Sequence, residues 1–215
     1  MSKRFWIIVA CLLYVGACAG QGFQQQALGV LLDEPVGPQT DGVFPRFQPL
    51  LDAGRGPALD AQVVETGIRG GFLRESRRGN IETWLGTDGV SLIFDRGVLH
   101  GTRGIGAGML ASDVSASARA VLAGQSGEVQ RIHTFLNGNS QAISRAYVCE
   151  ISNEGSEAIV LDIGAVNARR MSERCRNLNQ DFTNIYWVSN GSIVKSQQWT
   201  GDAVGMLEMT TVYNF

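Results

Sequence analysis

The chain has 215 residues, 44% of them hydrophobic and 18% charged, with a formal net charge of −2. This composition excludes a disordered tail and suits one globular domain rather than two. Lys3 and Lys195 are the only lysines and the arginines are scattered singly or in pairs, so there is no basic run of the kind that grips a phosphate backbone; nucleic acid is excluded as a partner. Glycine is the outlier at 27 residues, against 5 prolines and 8% aromatics, which favours many tight turns over long helices.

In chain order, Ser2-Lys3-Arg4 precedes an apolar run from Phe5 to Val15, and Gly16-Ala17-Cys18 follows it. A charged start, a short apolar run and small residues before a cut make residues 1–17 a secretory signal peptide. The run is too short to cross a bilayer, which takes ~20 residues. Val15-Gly16-Ala17-Cys18 resembles the bacterial lipobox, in which the cysteine carries a diacylglycerol and becomes the first residue of the mature chain. Cys18 is thus the expected lipidation site, and several acyl chains at ~0.8 kcal/mol per buried methylene make a stable anchor. The following Ala19 is not the aspartate that resembles an inner-membrane retention signal, so the expected location is the outer membrane, lipid-anchored and facing the periplasm.

Residues 18–60 hold all five prolines and read as the lipid anchor and a tether or entry segment, with a short helix possible from Ala27 to Asp33 before Pro35. Residues 61–215 form a single β-rich domain. Ile81 to Thr87, Val90 to Asp95 and Val98 to Arg103 are three strands joined by Asp88-Gly89 and Arg96-Gly97. Ser112-Asp113 can cap a helix running to about Ala123 and ended by Gly124. Strands resume over Val129 to Leu136, Gln141 to Ile151 and, after a turn at Asn153-Glu154-Gly155, Glu157 to about Asn167. Met171 to Gln180 reads as a charged loop, and Phe182 to Val188, Ser192 to Trp199 and Met206 to Tyr213 complete about ten strands. The expected fold is all-β, an antiparallel meander curled into a barrel-like, half-barrel or sandwich sheet with one short internal helix.

Without Cys11 and Cys18, the exported chain keeps Cys149 and Cys175, an even pair in an oxidising compartment, and a disulfide is predicted. Zinc would need three or four ligands, yet the chain adds only His100 and His133, with no metal spacing. Gly104-Ile105-Gly106-Ala107-Gly108 lacks the strand–helix–strand context of a dinucleotide loop and reads as a bend. No carboxylate pair is marked, with Glu82, Asp88 and Asp95 all near turns. There is no nucleophile elbow, and His100 reads as a packed residue. Trp84, Tyr186, Trp187 and Trp199 read as core or rim packing, with stacking on sugar rings as the alternative. No catalytic residue, metal or cofactor is expected.

Trp84 with Asp88-Gly89, then Arg96-Gly97-Val98-Leu99, Thr102-Arg103-Gly104-Ile105-Gly106 and Ser112-Asp113, resembles a block of the YjbF-type (GfcB-type) lipoproteins. Cys149, Cys175, Tyr186-Trp187-Val188 and Ser196-Gln197-Gln198-Trp199 followed by Gly205 are similar to that family's closing block, so the resemblance covers about residues 80–215. It implies a barrel-like all-β fold and an accessory, non-enzymatic role in group 4 capsule or exopolysaccharide production or export. It singles out Trp84, Gly97, Thr102, Gly104, Gly106, Trp187, Ser196, Gln198 and Trp199 as structural or binding positions. The expected partners are the membrane, through the lipid, exopolysaccharide export or assembly proteins, and polysaccharide itself. A glycan- or acyl-chain-binding periplasmic module is the alternative, and a polysaccharide-modifying enzyme a more distant one.

Overall fold

Arg96-Gly97 and Asn190-Gly191 reverse the chain with both central residues at positive φ (51° and 87°, 51° and 76°), as the tight hairpin turns that match strand twist require. Repeated hairpins of this kind build the whole domain. The computed structural model describes residues 44–54 and 56–214; the expected signal peptide (1–17), Cys18 and the Ala27 to Asp33 helix lie outside the described residues. A short helix α1 (Gln48–Ala53) leads into β1 (Ala58–Val63), β2 (Arg69–Arg78), β3 (Ile81–Gly86), β4 (Ser91–Asp95), β5 (Val98–Arg103) and β6 (Met109–Asp113). After helix α2 (Ser115–Ala123) come β7 (Gly127–Leu136), β8 (Ala142–Leu161), β9 (Gly164–Arg176), β10 (Asp181–Ser189), β11 (Ser192–Trp199) and β12 (Met206–Val212).

All twelve strands belong to one antiparallel sheet in the order β5-β4-β3-β2-β1-β12-β11-β10-β9-β8-β7-β6. The first and last strands pair, from Ala58 with Val212 to Val63 with Leu207. The two ends of the order, β5 and β6, approach each other, so the sheet is nearly closed into a barrel. Side chains bridge the remaining seam: Ser112 Oγ lies 3.1 Å from the carbonyls of both Leu99 and His100, and Met109 N donates to Thr102 Oγ1 at 3.0 Å. Gly101 sits here because a Cβ would come within 3.3 Å of the Leu110 and Met109 carbonyl oxygens.

Inward positions of alternate strands make the main core, including Leu59, Phe72, Trp84, Leu92, Leu99, Phe135, Tyr147, Phe182, Trp199 and Met209. Helix α2 plugs one end, packing Val114, Ala118 and Val121 on Val98, Ile151, Met171 and Tyr186. Gly124 (φ 69°) ends that helix, and Arg169 Nη2 donates to the exposed carbonyls of Leu122 (2.7 Å) and Val121 (3.4 Å). Phe47, next to α1, packs outside the barrel on Ala58, Leu73 and Leu85, so folded structure begins within the stretch read as an entry segment.

Four expectations change. Asn153-Glu154-Gly155 is a bulge, not a reversal: Gly155 at φ 89° helps absorb the one extra residue while β8 pairs with β9 on both sides, Asn153 with Met171 and Ser156 with Arg169. Met171 to Gln180 is no loop, because β9 continues to Arg176 and the turn is confined to residues 177–180. Ser112 does not cap the helix; it closes the seam, and Asp113 Oδ1 receives the Ser115 amide instead (3.2 Å). The count rises to twelve strands because β1, β2 and β6 carry too few large apolar residues for their pattern to stand out.

Candidate functional site

The first unusual feature is a set of polar side chains sealed inside the barrel. Val129, Arg131, His133 and Phe135 share one face of β7, and that face points inward. Arg131, His133, Glu173, Asn184 and Gln198 are each 0% exposed. Arg131 Nη1 donates to Glu173 Oε2 at 2.5 Å, and the same oxygen accepts from Tyr186 Oη (2.7 Å) and Asn184 Nδ2 (2.8 Å). Arg131 Nε donates to His133 Nε2 at 2.7 Å. Gln198 bridges the barrel, accepting from Leu99 N (2.7 Å) and donating to Gly97 O and Ser196 Oγ (3.0 Å each), while Asn184 Oδ1 accepts from Trp199 N (2.8 Å).

Burial pushes the Glu173 carboxyl up, but the Arg131 guanidinium together with the Ser117 and Tyr186 hydroxyls and the Asn184 amide outweighs it and holds Glu173 below the ordinary range. Burial likewise opposes the charge on Arg131, and Glu173 and Tyr186 together more than restore it. Burial and the Glu173 charge keep Tyr186 protonated, well above its usual value. His133 is pushed down to about 2, first by burial and then by Arg131, so it is a neutral acceptor. Its ring stacks with Phe182 (5.6 Å) and Trp199 (5.7 Å). Glu173 Oε2, His133 Nε2 and the Arg131 guanidinium are partnered within this network, while Glu173 Oε1 and His133 Nδ1 are buried without a hydrogen-bond partner; removing one member of the Arg131–Glu173 pair leaves a buried charge uncompensated and is strongly destabilising.

The second feature is a cleft at the barrel mouth beside α2. Trp84, Glu82, Gly97, Ile193 and Thr211 line both its inner recess, about 70 Å³, and its outer part, about 350 Å³. Ser196 joins the recess and connects it to the buried network through Gln198. Arg74, Arg77 and Arg96 stand around the outer part with Asn80, Ser192 and Tyr213. Arg74 and Arg77 share one carboxylate, Glu82, at 3.3 and 3.7 Å. Arg96 is held by both oxygens of Asp95 (2.9 and 3.1 Å) and reaches Ser115 O at 3.4 Å.

The residues singled out from the sequence divide among four places. Trp84, Gly97, Ser196 and Gln198 converge on the cleft and directly behind it. Thr102, Gly104 and Gly106 lie at the other end of β5; Gly104 (φ 76°) rests on Val90 and Gly106 (φ 52°) on Val204. Trp199 belongs to the interior stack, 4.6 Å from Phe182. Trp187 lies outside the barrel under the β8–β9 hairpin, packed with Leu161, Ala168 and Val194, and its indole donates to Glu157. Trp84, Tyr186, Trp187 and Trp199 are all buried, which is packing and not an exposed stacking platform. His100 is half-buried on β5. The Cys149–Cys175 disulfide is present and joins directly opposed residues of β8 and β9. These cysteines lie close to Glu173, but a sulfur bonded to sulfur offers no thiolate to a metal. Sequence alone leaves Arg131 among the scattered arginines; the signal available was its parity with Val129, His133 and Phe135.

Comparisons with known proteins agree with this architecture. The family model described as group 4 capsule polysaccharide lipoprotein gfcB, YjbF matches residues 59–212. The crystal structure of the hypothetical lipoprotein YmcC from Escherichia coli (K12) is similar with a TM-score of 0.65 and 20% identity, covering 74% of this chain and 87% of that one. At that identity the likeness concerns the fold. No curated protein matches the sequence.

Proposed function

From the membership of this chain in the YjbF family of group 4 capsule polysaccharide lipoproteins, we propose that it is a non-enzymatic accessory of capsule or exopolysaccharide production or export, anchored in the outer membrane and facing the periplasm. The observation that carries the reading is the span of the match, residues 59–212, which runs from within β1 to the end of β12 and therefore takes in the whole barrel. The chemistry of the interior supports an accessory role. Arg131, Glu173 and Tyr186 are committed to one another and sealed from solvent, so they reach no substrate. His133, held neutral by a pKa near 2, is no proton acceptor at periplasmic pH. The lipobox at Cys18 and the Ala19 after it support the outer membrane as the site of anchoring.

The test is cell-bound and secreted polysaccharide in a strain lacking the gene, complemented with wild type or with Cys18→Ala. Wild type is expected to restore the polymer and Cys18→Ala to leave it depleted, with the protein released from outer-membrane fractions. Polymer that does not change on deletion overturns the reading.

A further inference from the structure

We propose that the cleft at the barrel mouth binds an acidic saccharide segment, with Arg74 and Arg77 holding its carboxylate and the apolar side formed by Ile193 and Leu122 meeting its ring face. The inference rests on the polysaccharide role proposed above and names the ligand class. Three observations lead to it.

The first is charge. The cleft gathers three guanidinium groups in a chain whose formal charge is −2. Among the described residues two carboxylates answer them, and they are unequally shared. Asp95 is taken up by Arg96 through two hydrogen bonds. Glu82 alone faces both Arg74 and Arg77, whose side chains remain 38% and 62% exposed. One guanidinium equivalent is therefore left over where solvent can enter, and guanidinium forks match carboxylates with two parallel bonds.

The second is the mixture of surfaces. The outer part, at about 350 Å³, falls within the ~300–1,000 Å³ of small-ligand sites. Trp84, Ile193 and Leu122 give it an apolar side, and Asn80, Ser192 and Thr211 give it neutral donors and acceptors. Ser196 Oγ, which accepts from Gln198, keeps its own proton as a donor at the recess. Sugars carry an apolar ring face and a belt of hydroxyls, and an acidic sugar adds the anion; a bare phosphate would use the cations and waste the rest.

The third is backbone conformation. Two tight turns border the cleft. One uses Asn190-Gly191, the favoured pair, while the other places Arg96 at φ 51°. A long side chain in the left-handed region is disfavoured by roughly 1 kcal/mol. The arginine stands at a position where asparagine would turn the chain more easily, and it brings to the rim of the cleft a guanidinium that Asp95 and Ser115 O hold in place.

The experiment uses the full lipidated chain in detergent and titrates it with oligogalacturonate and, separately, with neutral malto-oligosaccharide of equal length, by calorimetry. Saturable binding of the acidic oligomer is expected, at least about tenfold tighter than the neutral one and weakened by salt. Arg74→Gln with Arg77→Gln is expected to lower affinity about tenfold or more, equivalent to ~1.4 kcal/mol. Glu82→Gln, which frees both arginines and keeps an acceptor for the Trp84 indole, is expected to raise affinity several-fold; a general loss of structure cannot produce that gain. Equal binding of acidic and neutral oligomers, no saturable binding by the folded chain, or arginine variants that bind like wild type would overturn the proposal. So would arginine-dependent binding to phosphatidylglycerol vesicles without oligogalacturonate binding, which would assign the cleft to a lipid surface. In cells the two readings part: polymer that needs the gene but not these arginines sinks the cleft assignment alone, and polymer that does not need the gene sinks the capsule role.

Discussion

At the scale of single residues, the buried histidine makes the clearest demand on the solvent. His133 accepts from Arg131 Nε and is held neutral with a pKa near 2, whereas in the unfolded chain it titrates near its ordinary 6.5. Between those values the unfolded state binds one more proton than the folded state, so stability falls as pH drops below about 6.5, by about 1.4 kcal/mol per pH unit. Glu173, depressed by Arg131, adds its own loss only at lower pH, below the ordinary carboxylate range. Urea unfolding of the wild type is therefore expected to lose about 2 kcal/mol between pH 6.5 and 4.5 on account of His133. His133→Gln, which keeps an acceptor for Arg131, should flatten that slope whatever its effect on absolute stability. A variant with the wild-type slope would refute the neutral, buried assignment.

At the scale of elements, β8 and β9 form the longest pairing, and the disulfide fixes it near one end, since Cys149 and Cys175 are directly opposed. Closing a loop of about 27 residues is worth roughly 3.5 kcal/mol in the chain-entropy model. Replacing both cysteines with alanine is expected to lower unfolding free energy by about 2–4 kcal/mol, read by urea melts, with reductant reproducing the loss in the wild type. The hairpins and the cysteine pair were legible because a turn dipeptide or an even cysteine count is a local signal. The long β8 was not, since Asn153-Glu154-Gly155 carries turn chemistry and becomes a bulge only because β9 offers a partner on both sides of it. β9 was cut short for a similar reason. Its charged residues alternate, with Glu173 inward to meet Arg131 and Arg174 and Arg176 outward, and half of that pattern depends on a strand 42 positions away. The cleft was legible only in part: Trp84 and Gly97 were marked, but the assembly of Arg74, Arg77 and Arg96 follows from β2, β3 and the β4–β5 turn meeting at one mouth.

At the scale of the whole molecule, the barrel depends on joining strands that are not joined by a continuous ladder. Eleven pairings run in sequence around the sheet, and the twelfth contact, between β5 and β6, is made by side chains. Ser112 is central there. It is 3% exposed, and its one hydroxyl proton serves the carbonyls of Leu99 and His100, with the Leu99 oxygen also reached by Arg131 Nη2 at 3.4 Å. The same Leu99 donates its amide to Gln198 Oε1, so one residue of β5 ties the seam, the buried ion pair and the floor of the cleft together. Removing the Ser112 hydroxyl leaves buried carbonyls short of a donor, a loss of about 1–3 kcal/mol. Ser112→Ala is expected to lower global stability by that amount and to speed amide hydrogen exchange first in β5 and β6, while β9 to β11 remain protected. If the cleft draws its shape from barrel closure, the same substitution also weakens oligogalacturonate binding although no cleft residue has changed. Uniformly faster exchange across all strands would instead mean that the seam opens only with global unfolding, and that the side-chain closure is as firm as the ladders beside it.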